Sequence, residues 1–245
     1  MKYSWWRVIE SDLRKVVAEP FFWLILIMPV LMGWGLSYLL PYLSEQFQSI
    51  DLQSYYPLII ALLILTPPLY YGFVLALLLL EEKDEGVLLA VNVTPLPLSQ
   101  FLMARLSVYT LVSLPLIVFV HELVDVIDID FKLLVLIAIA AAPIAPMVTM
   151  LLGAFCKDQL EGFVMGKGMG FLILFPLAMF FVPGYWHLLC GILPTYWPIM
   201  AYYTAVSASG SLGFFYLTII MALVSQFAAI VWLYRRMETQ LKYQS

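Results

Sequence analysis

From Gly168 to Tyr234 the chain runs for 67 residues without one Asp, Glu, Lys or Arg. Soluble domains draw about a quarter of their residues from those four types, so such a tract must be solvated by something other than water. The rest of the chain repeats the pattern on a smaller scale. Charge is bunched, and uncharged runs of about 20 residues separate the bunches, the length a helix needs to cross about 30 Å of hydrocarbon. Only 11% of the 245 residues are charged, and mean hydropathy is +0.97. Barrel strands would need roughly ten-residue segments of alternating polarity, whereas Ala61 to Leu65 and Val74 to Leu80 are apolar on both faces. The fold class expected is an all-α integral membrane protein, with residues 1–245 forming a single transmembrane domain.

Within residues 1–19, Trp6, Ile9, Leu13, Val16 and Val17 recur at helical spacing with Arg7, Glu10, Arg14 and Lys15 elsewhere. That pattern suits an elbow helix lying in the membrane interface. Pro20 sits at a position tolerated in a first helical turn and opens span one, about 21–40. This run ends without a small-x-small cleavage site, so it is expected to stay as a span. Further spans are expected at about 56–80, 101–120, 133–156, 168–183 and 212–234. Pro67-Pro68 predicts a kink in span two, and Arg105 lies near enough to the start of span three to snorkel to the interface.

The charge-free tract could hold two spans or three, and charge placement decides. With a cytoplasmic amino terminus and six spans, 11 of the 12 Lys and Arg residues fall inside and only Lys132 outside; seven spans would put Arg235, Arg236 and Lys242 outside, against the positive-inside bias. Both termini are therefore placed in the cytoplasm of a bacterial inner membrane. Residues 183–210, rich in Pro, Gly, Trp, Tyr and Ser, are read as a re-entrant outer hairpin between helices 5 and 6. Its backbone needs protein cover, from tight packing or a partner subunit. Its Tyr185, Trp186, Tyr196, Trp197, Tyr202 and Tyr203 fit an interfacial aromatic belt better than a substrate gate.

The chemistry-bearing patterns are sparse. Cys156 and Cys190 suit small core residues rather than a disulfide framework. Gly162 to Gly168 passes near a phosphate loop in composition, but its spacing is wrong and no Ser or Thr follows Lys167. His121-Glu122-Leu123-Val124-Asp125 resembles a zinc-protease helix with Asp125 where the second His belongs, and Glu81-Glu82 resembles the glutamate pair of membrane-embedded CAAX-type proteases with Gly86 where Arg is expected. No catalytic residue and no metal site is assigned, and nucleic acid is not expected as a partner. Gly162, Gly166 and Gly170 repeat every four residues, which clears one helix face for a close neighbour or supplies a hinge.

The most specific feature is the polar segment Glu81-Glu82-Lys83-Asp84-Glu85-Gly86 continuing through Val93-Thr94-Pro95-Leu96-Pro97-Leu98-Ser99. A short polar helix bearing carboxylates at a span's end can be gripped by a basic groove on a partner; the plain alternative is a solvated loop. This segment resembles the first cytoplasmic loop of ABC-2 type transporter permeases, as do Glu19-Pro20, Pro29, Phe181-Val182-Pro183 and Leu193-Pro194-Thr195-Tyr196.

The resemblance implies the six-helix membrane subunit of an ABC exporter, pairing with a second copy or a similar permease in surrounding lipid. ATP and Mg would be held by a separately encoded ATP-binding subunit, with no cofactor on this chain. Glu81, Glu82, Glu85, Gly86, Thr94 and Pro95 become the expected coupling contacts. Thr66, Tyr70, Phe175, Met179 and Phe180, on spans two and five, become the expected pathway residues. No span carries a charge at mid-depth to drive ion coupling, so the substrate expected is apolar or amphipathic: a drug, a peptide or a lipid-like molecule. The alternatives are a membrane-embedded hydrolase using Glu81, Glu82 or His121, and a toxin-immunity subunit.

Overall fold

The computed structural model describes residues 5–47, 51–87, 98–174, 176, 189–207 and 210–244, and among these there is helix but no strand. The helices are α1 (Trp5–Ala18), α2 (Pro20–Gln46), α3 (Tyr56–Leu63), α4 (Thr66–Asp84), α5 (Leu98–Val124), α6 (Phe131–Ala141), α7 (Ile144–Phe155), α8 (Gln159–Gly168), α9 (Gly170–Leu174), α10 (Tyr196–Val206) and α11 (Leu212–Gln244). Among the described residues, five stretches are long and apolar enough to cross a membrane: Pro20–Gln46, Leu52–Asp84, Ser99–Val124, Phe131–Phe155 and Leu212–Thr239. They coincide with five of the six expected spans. Span five, expected at 168–183, and the first part of the 183–210 hairpin fall largely outside the described residues.

Two spans form the centre. Leu52–Asp84 and Phe131–Phe155 are 67% and 72% buried, against 17%, 22% and 28% for the other three. Both central spans are broken by proline. The expected kink at Pro67-Pro68 is a full interruption between α3 and α4, with both prolines in the first turn of α4. Pro67 has no N–H for the carbonyl of Leu63 four residues back, and the Thr66 hydroxyl donates to that oxygen instead, at 2.7 Å. Pro143 separates α6 from α7 in the same way. There the Ala140 carbonyl, at the end of α6, accepts from the side-chain amide of Gln226 on α11 at 2.9 Å. Gln226 is fully buried; a buried amide in an apolar helix is accounted for by this freed backbone acceptor.

The two broken spans meet backbone to backbone. A Cβ on Gly72 would stand 2.4 Å from the Ala145 carbonyl oxygen, so only glycine admits this approach. Across it the Thr149 hydroxyl donates to Gly72 O at 2.9 Å. Helices α2, α5 and α11 pack around this pair, and large apolar residues such as Trp23, Leu31, Leu111, Val224 and Phe227 face outward. In a membrane protein that exposure is the lipid-facing surface rather than an aggregation hazard.

Helix α1 forms where the sequence places the elbow. Val16 is buried against Phe22 and Val74, while Leu13 and Val17 stay exposed. Its polar side faces the ends of α4 and α5.

Candidate functional site

At the end of the bundle that carries α1, α4 leaves the apolar core as Glu81-Glu82-Lys83-Asp84-Glu85. Successive helical residues point about 100° apart, so consecutive side chains reach different neighbours. Lys15 of α1 donates to Glu81 at 3.2 Å. Arg105 of α5 donates through Nη1 to Glu82 at 2.5 Å, and through Nε and Nη2 to both oxygens of Asp12 on α1, at 2.8 and 2.7 Å. The guanidinium fork matches a carboxylate bidentately. Lys83 turns the other way and donates to the carbonyls of Gly153 and Cys156, at 3.3 and 2.7 Å, closing the C-terminus of α7.

Arg105 is 1% exposed, so the snorkelling expected of it does not occur. Two carboxylates lie nearer than water and take its donors, one of them supplied by α1 lying across the bundle end. Asp12 is buried as well; desolvation pushes its carboxyl above the ordinary value despite the opposing pull of Arg105.

Of the expected coupling residues, Glu82 thus faces inward on Arg105, and Glu81 is half-buried beside Lys15. Asp84 and Glu85 are exposed. Gly86 closes the helix at φ +74°, a conformation that favours glycine. Thr94 and Pro95 lie outside the described residues. The paired-glutamate hydrolase reading also fares poorly here, since Glu81 and Glu82 address different helices. His121 is buried and shares a 3.1 Å hydrogen bond with the Tyr202 hydroxyl.

Beside this charged end, two adjoining cavities open between α2, α4 and α8. The larger, about 460 Å³, is walled by Phe21, Leu69, Tyr70, Phe73 and Phe163, with Lys167 on its lining. The smaller, about 340 Å³, shares Phe21 and Phe163 and adds Glu19, Glu81 and Gln159. Phe163 stands between them, its ring centroid 5.2 Å from that of Phe21 and 6.0 Å from that of Phe73. Glycines hold α8 close enough to make this wall. A Cβ on Gly162 would lie 2.5 Å from Leu80 Cδ1, and one on Gly166 would lie 2.4 Å from Phe73 Cε2. Gly170, the third of the expected repeat, meets nothing within 4 Å.

Of the expected pathway residues, Tyr70 lines the larger cavity. Thr66 does not; it is buried at the α3–α4 break. Phe175, Met179 and Phe180 lie outside the described residues. Phe21, Phe73, Phe163 and Lys167, which also line the larger cavity or its neighbour, are not among the pathway residues expected from the sequence. The usable signal was the Gly162–Gly166 spacing, which marks the face of α8 that approaches α4 and so the place where Phe163 meets Phe73.

Comparison with known proteins matches residues 12–234 to a family model, Rv2686c-like, described as fluoroquinolones export permease protein Rv2686c-like. The match begins at Asp12 and so includes the Arg105 pairing and both cavities. Two curated relatives from Mycobacterium tuberculosis are named fluoroquinolones export permease proteins: MT2760 of strain CDC 1551 and Rv2686c of strain H37Rv. Each is 30% identical over 202 residues, covering 80% of this chain and 80% of the relative. The match is consistent with the ABC-2 resemblance. With its apolar spans, its aromatic cavity and this similarity along most of its length, the chain belongs to the Rv2686c-like family of export permeases and is a multi-pass membrane protein.

Proposed function

We propose that this chain is the transmembrane subunit of an ATP-driven exporter in a bacterial inner membrane, with both termini cytoplasmic, and that it moves flat aromatic amphiphiles outward, fluoroquinolones among them. The observation that carries the reading is the juxtaposition of an aromatic cavity of about 460 Å³ with the acidic end of α4. In this reading that end faces the cytoplasm. Asp84 and Glu85, exposed beyond the last turn, offer carboxylates to a basic groove on a separate ATP-binding subunit that holds ATP and Mg. Gly86, Thr94 and Pro95 complete the contact. Glu81, Glu82 and Lys83 pass its motion inward, because each is already joined to a different helix.

Helix α10 belongs to the outer hairpin that precedes the last span. Helix α1 lies in the interface with Leu13 and Val17 toward lipid. A second permease, the same or similar, closes the open side of the cavities and completes the pathway.

The test is co-purification and drug efflux with Asp84→Lys and Glu85→Lys combined. The expected result is normal membrane insertion with loss of the ATP-binding partner and of fluoroquinolone efflux. Unchanged partner recovery and efflux would remove the coupling assignment. Efflux that persists when no ATP-binding protein accompanies the chain would remove the ATP-driven reading.

A further inference from the structure

The two cavities differ in charge. The smaller has carboxylates on its wall, Glu19 and Glu81, and the larger has an ammonium, Lys167. Both touch α8, which supplies Gln159 to the smaller and Lys167 to the larger, about 12 Å apart along the helix at 1.5 Å per residue. Between those poles the walls are the rings of Phe21, Phe163 and Phe73. Glu19 and Lys167 are exposed, and neither has an ion-pair partner among the described residues. Glu81 shares its charge with Lys15.

Resting on the export reading above, we propose that the paired cavity is a polarised site for a zwitterionic aromatic amphiphile. Glu19, assisted by Glu81, takes its protonated amine, Lys167 takes its carboxylate, and the flat ring system lies against Phe163. A simple cation would meet attraction at one pole and repulsion at the other, and a simple anion likewise. A molecule carrying both charges in the right order meets attraction at each. Phenylalanine rings add cation–π attraction at the acidic pole and stacking between the poles. Glu19 and Lys167 are thereby specificity-determining residues, reading the order and spacing of charge rather than the ring itself.

The test is equilibrium binding to the full-length chain in lipid nanodiscs, without ATP. Three fluorescent probes are compared by anisotropy: a fluoroquinolone with a free piperazine and free carboxylate, its carboxyl ethyl ester, and its N-acylated derivative. The wild-type chain should bind the zwitterion roughly tenfold tighter than either derivative, a difference typical of one added charged contact. Glu19→Gln should weaken the zwitterion and the cationic ester about tenfold and should tighten, not weaken, the N-acylated anion, which it relieves of repulsion. Lys167→Gln should weaken the zwitterion and the anion and should tighten, not weaken, the ester.

Equal weakening of all three probes by both variants overturns the proposal; if it comes with a change in oligomer mass, the groove is the contact with a second copy of the chain. Indifference of all three probes to both variants overturns it too. Charge-selective binding with no export from energised membranes supports this site while removing the export reading, and export that ignores both substitutions does the reverse.

Discussion

The central pair of spans and the surrounding ones treat proline in opposite ways. In α2 and α5, Pro29, Pro41 and Pro115 sit inside continuous helices. In the central pair, Pro67-Pro68 and Pro143 end one helix and start another. Solvation explains the contrast. A full break frees backbone groups that hydrocarbon cannot satisfy, and the outer helices have one side open to lipid. Inside the bundle, Thr66 and Gln226 supply the missing donors, so a break is tolerated. Between the central spans Gly72 and Ala145 come together backbone to backbone.

The comparison can be broken by experiment, most severely at its edge, where α5 is tied to α4 by charge. Arg105→Met leaves Asp12 and Glu82 buried without a cation and should cost about 3–5 kcal/mol. It would be read as loss of folded protein in fluorescence-detected size exclusion, with partial recovery when Asp12→Asn and Glu82→Gln are added. Gly72→Val forces a side chain into the Ala145 carbonyl and should cost about 3 kcal/mol or more by the same assay.

Gln226→Leu keeps the volume but strips the Ala140 carbonyl of its donor, a cost of about 1–3 kcal/mol. A thermal-shift loss no larger than that of a lipid-facing substitution on α11 would show that the α6–α7 break needs no such donor. Thr149→Val removes the hydroxyl bond to Gly72 and should cost about 1 kcal/mol. At the far end of the scale is Gly35→Ala on α2. A Cβ there meets nothing within 4 Å, and the change should be neutral or stabilising by about 0.5–1 kcal/mol.

The sequence made the break at Pro67-Pro68, the helix ahead of span one and the approach of Gly162 and Gly166 legible, because each depends on residues close together in the chain. Tertiary partners were hidden. Arg105 is 93 residues from Asp12, and no spacing rule joins them; Asp12 read as one more polar residue of an amphipathic helix. Thr66 was expected on the pathway by family analogy, through its place on span two; it is buried at the α3–α4 break, where its hydroxyl serves the Leu63 carbonyl. Glu82 was expected among the coupling contacts with Glu81 and Glu85, yet it faces Arg105 while Glu85 is exposed. A helix turning 100° per residue separates such neighbours, and only the packing shows which of them it buries. Tyr70, expected on the pathway, lines the larger cavity; the phenylalanines around it were hidden by the abundance of Phe elsewhere in the chain.

The joint at Arg105 also sets an order of events during synthesis. Asp12 and Glu82 emerge before their cation, which lies 93 and 23 residues beyond them; at about 5–20 residues per second Asp12 waits roughly 5–19 s for it and Glu82 roughly 1–5 s. Lys83 waits longer than Glu82, since the carbonyls it caps are 70 and 73 residues downstream. The first two spans are therefore synthesised as an unfinished, net acidic hairpin, and the third span, arriving with Arg105, is the element that supplies the cation both acids share.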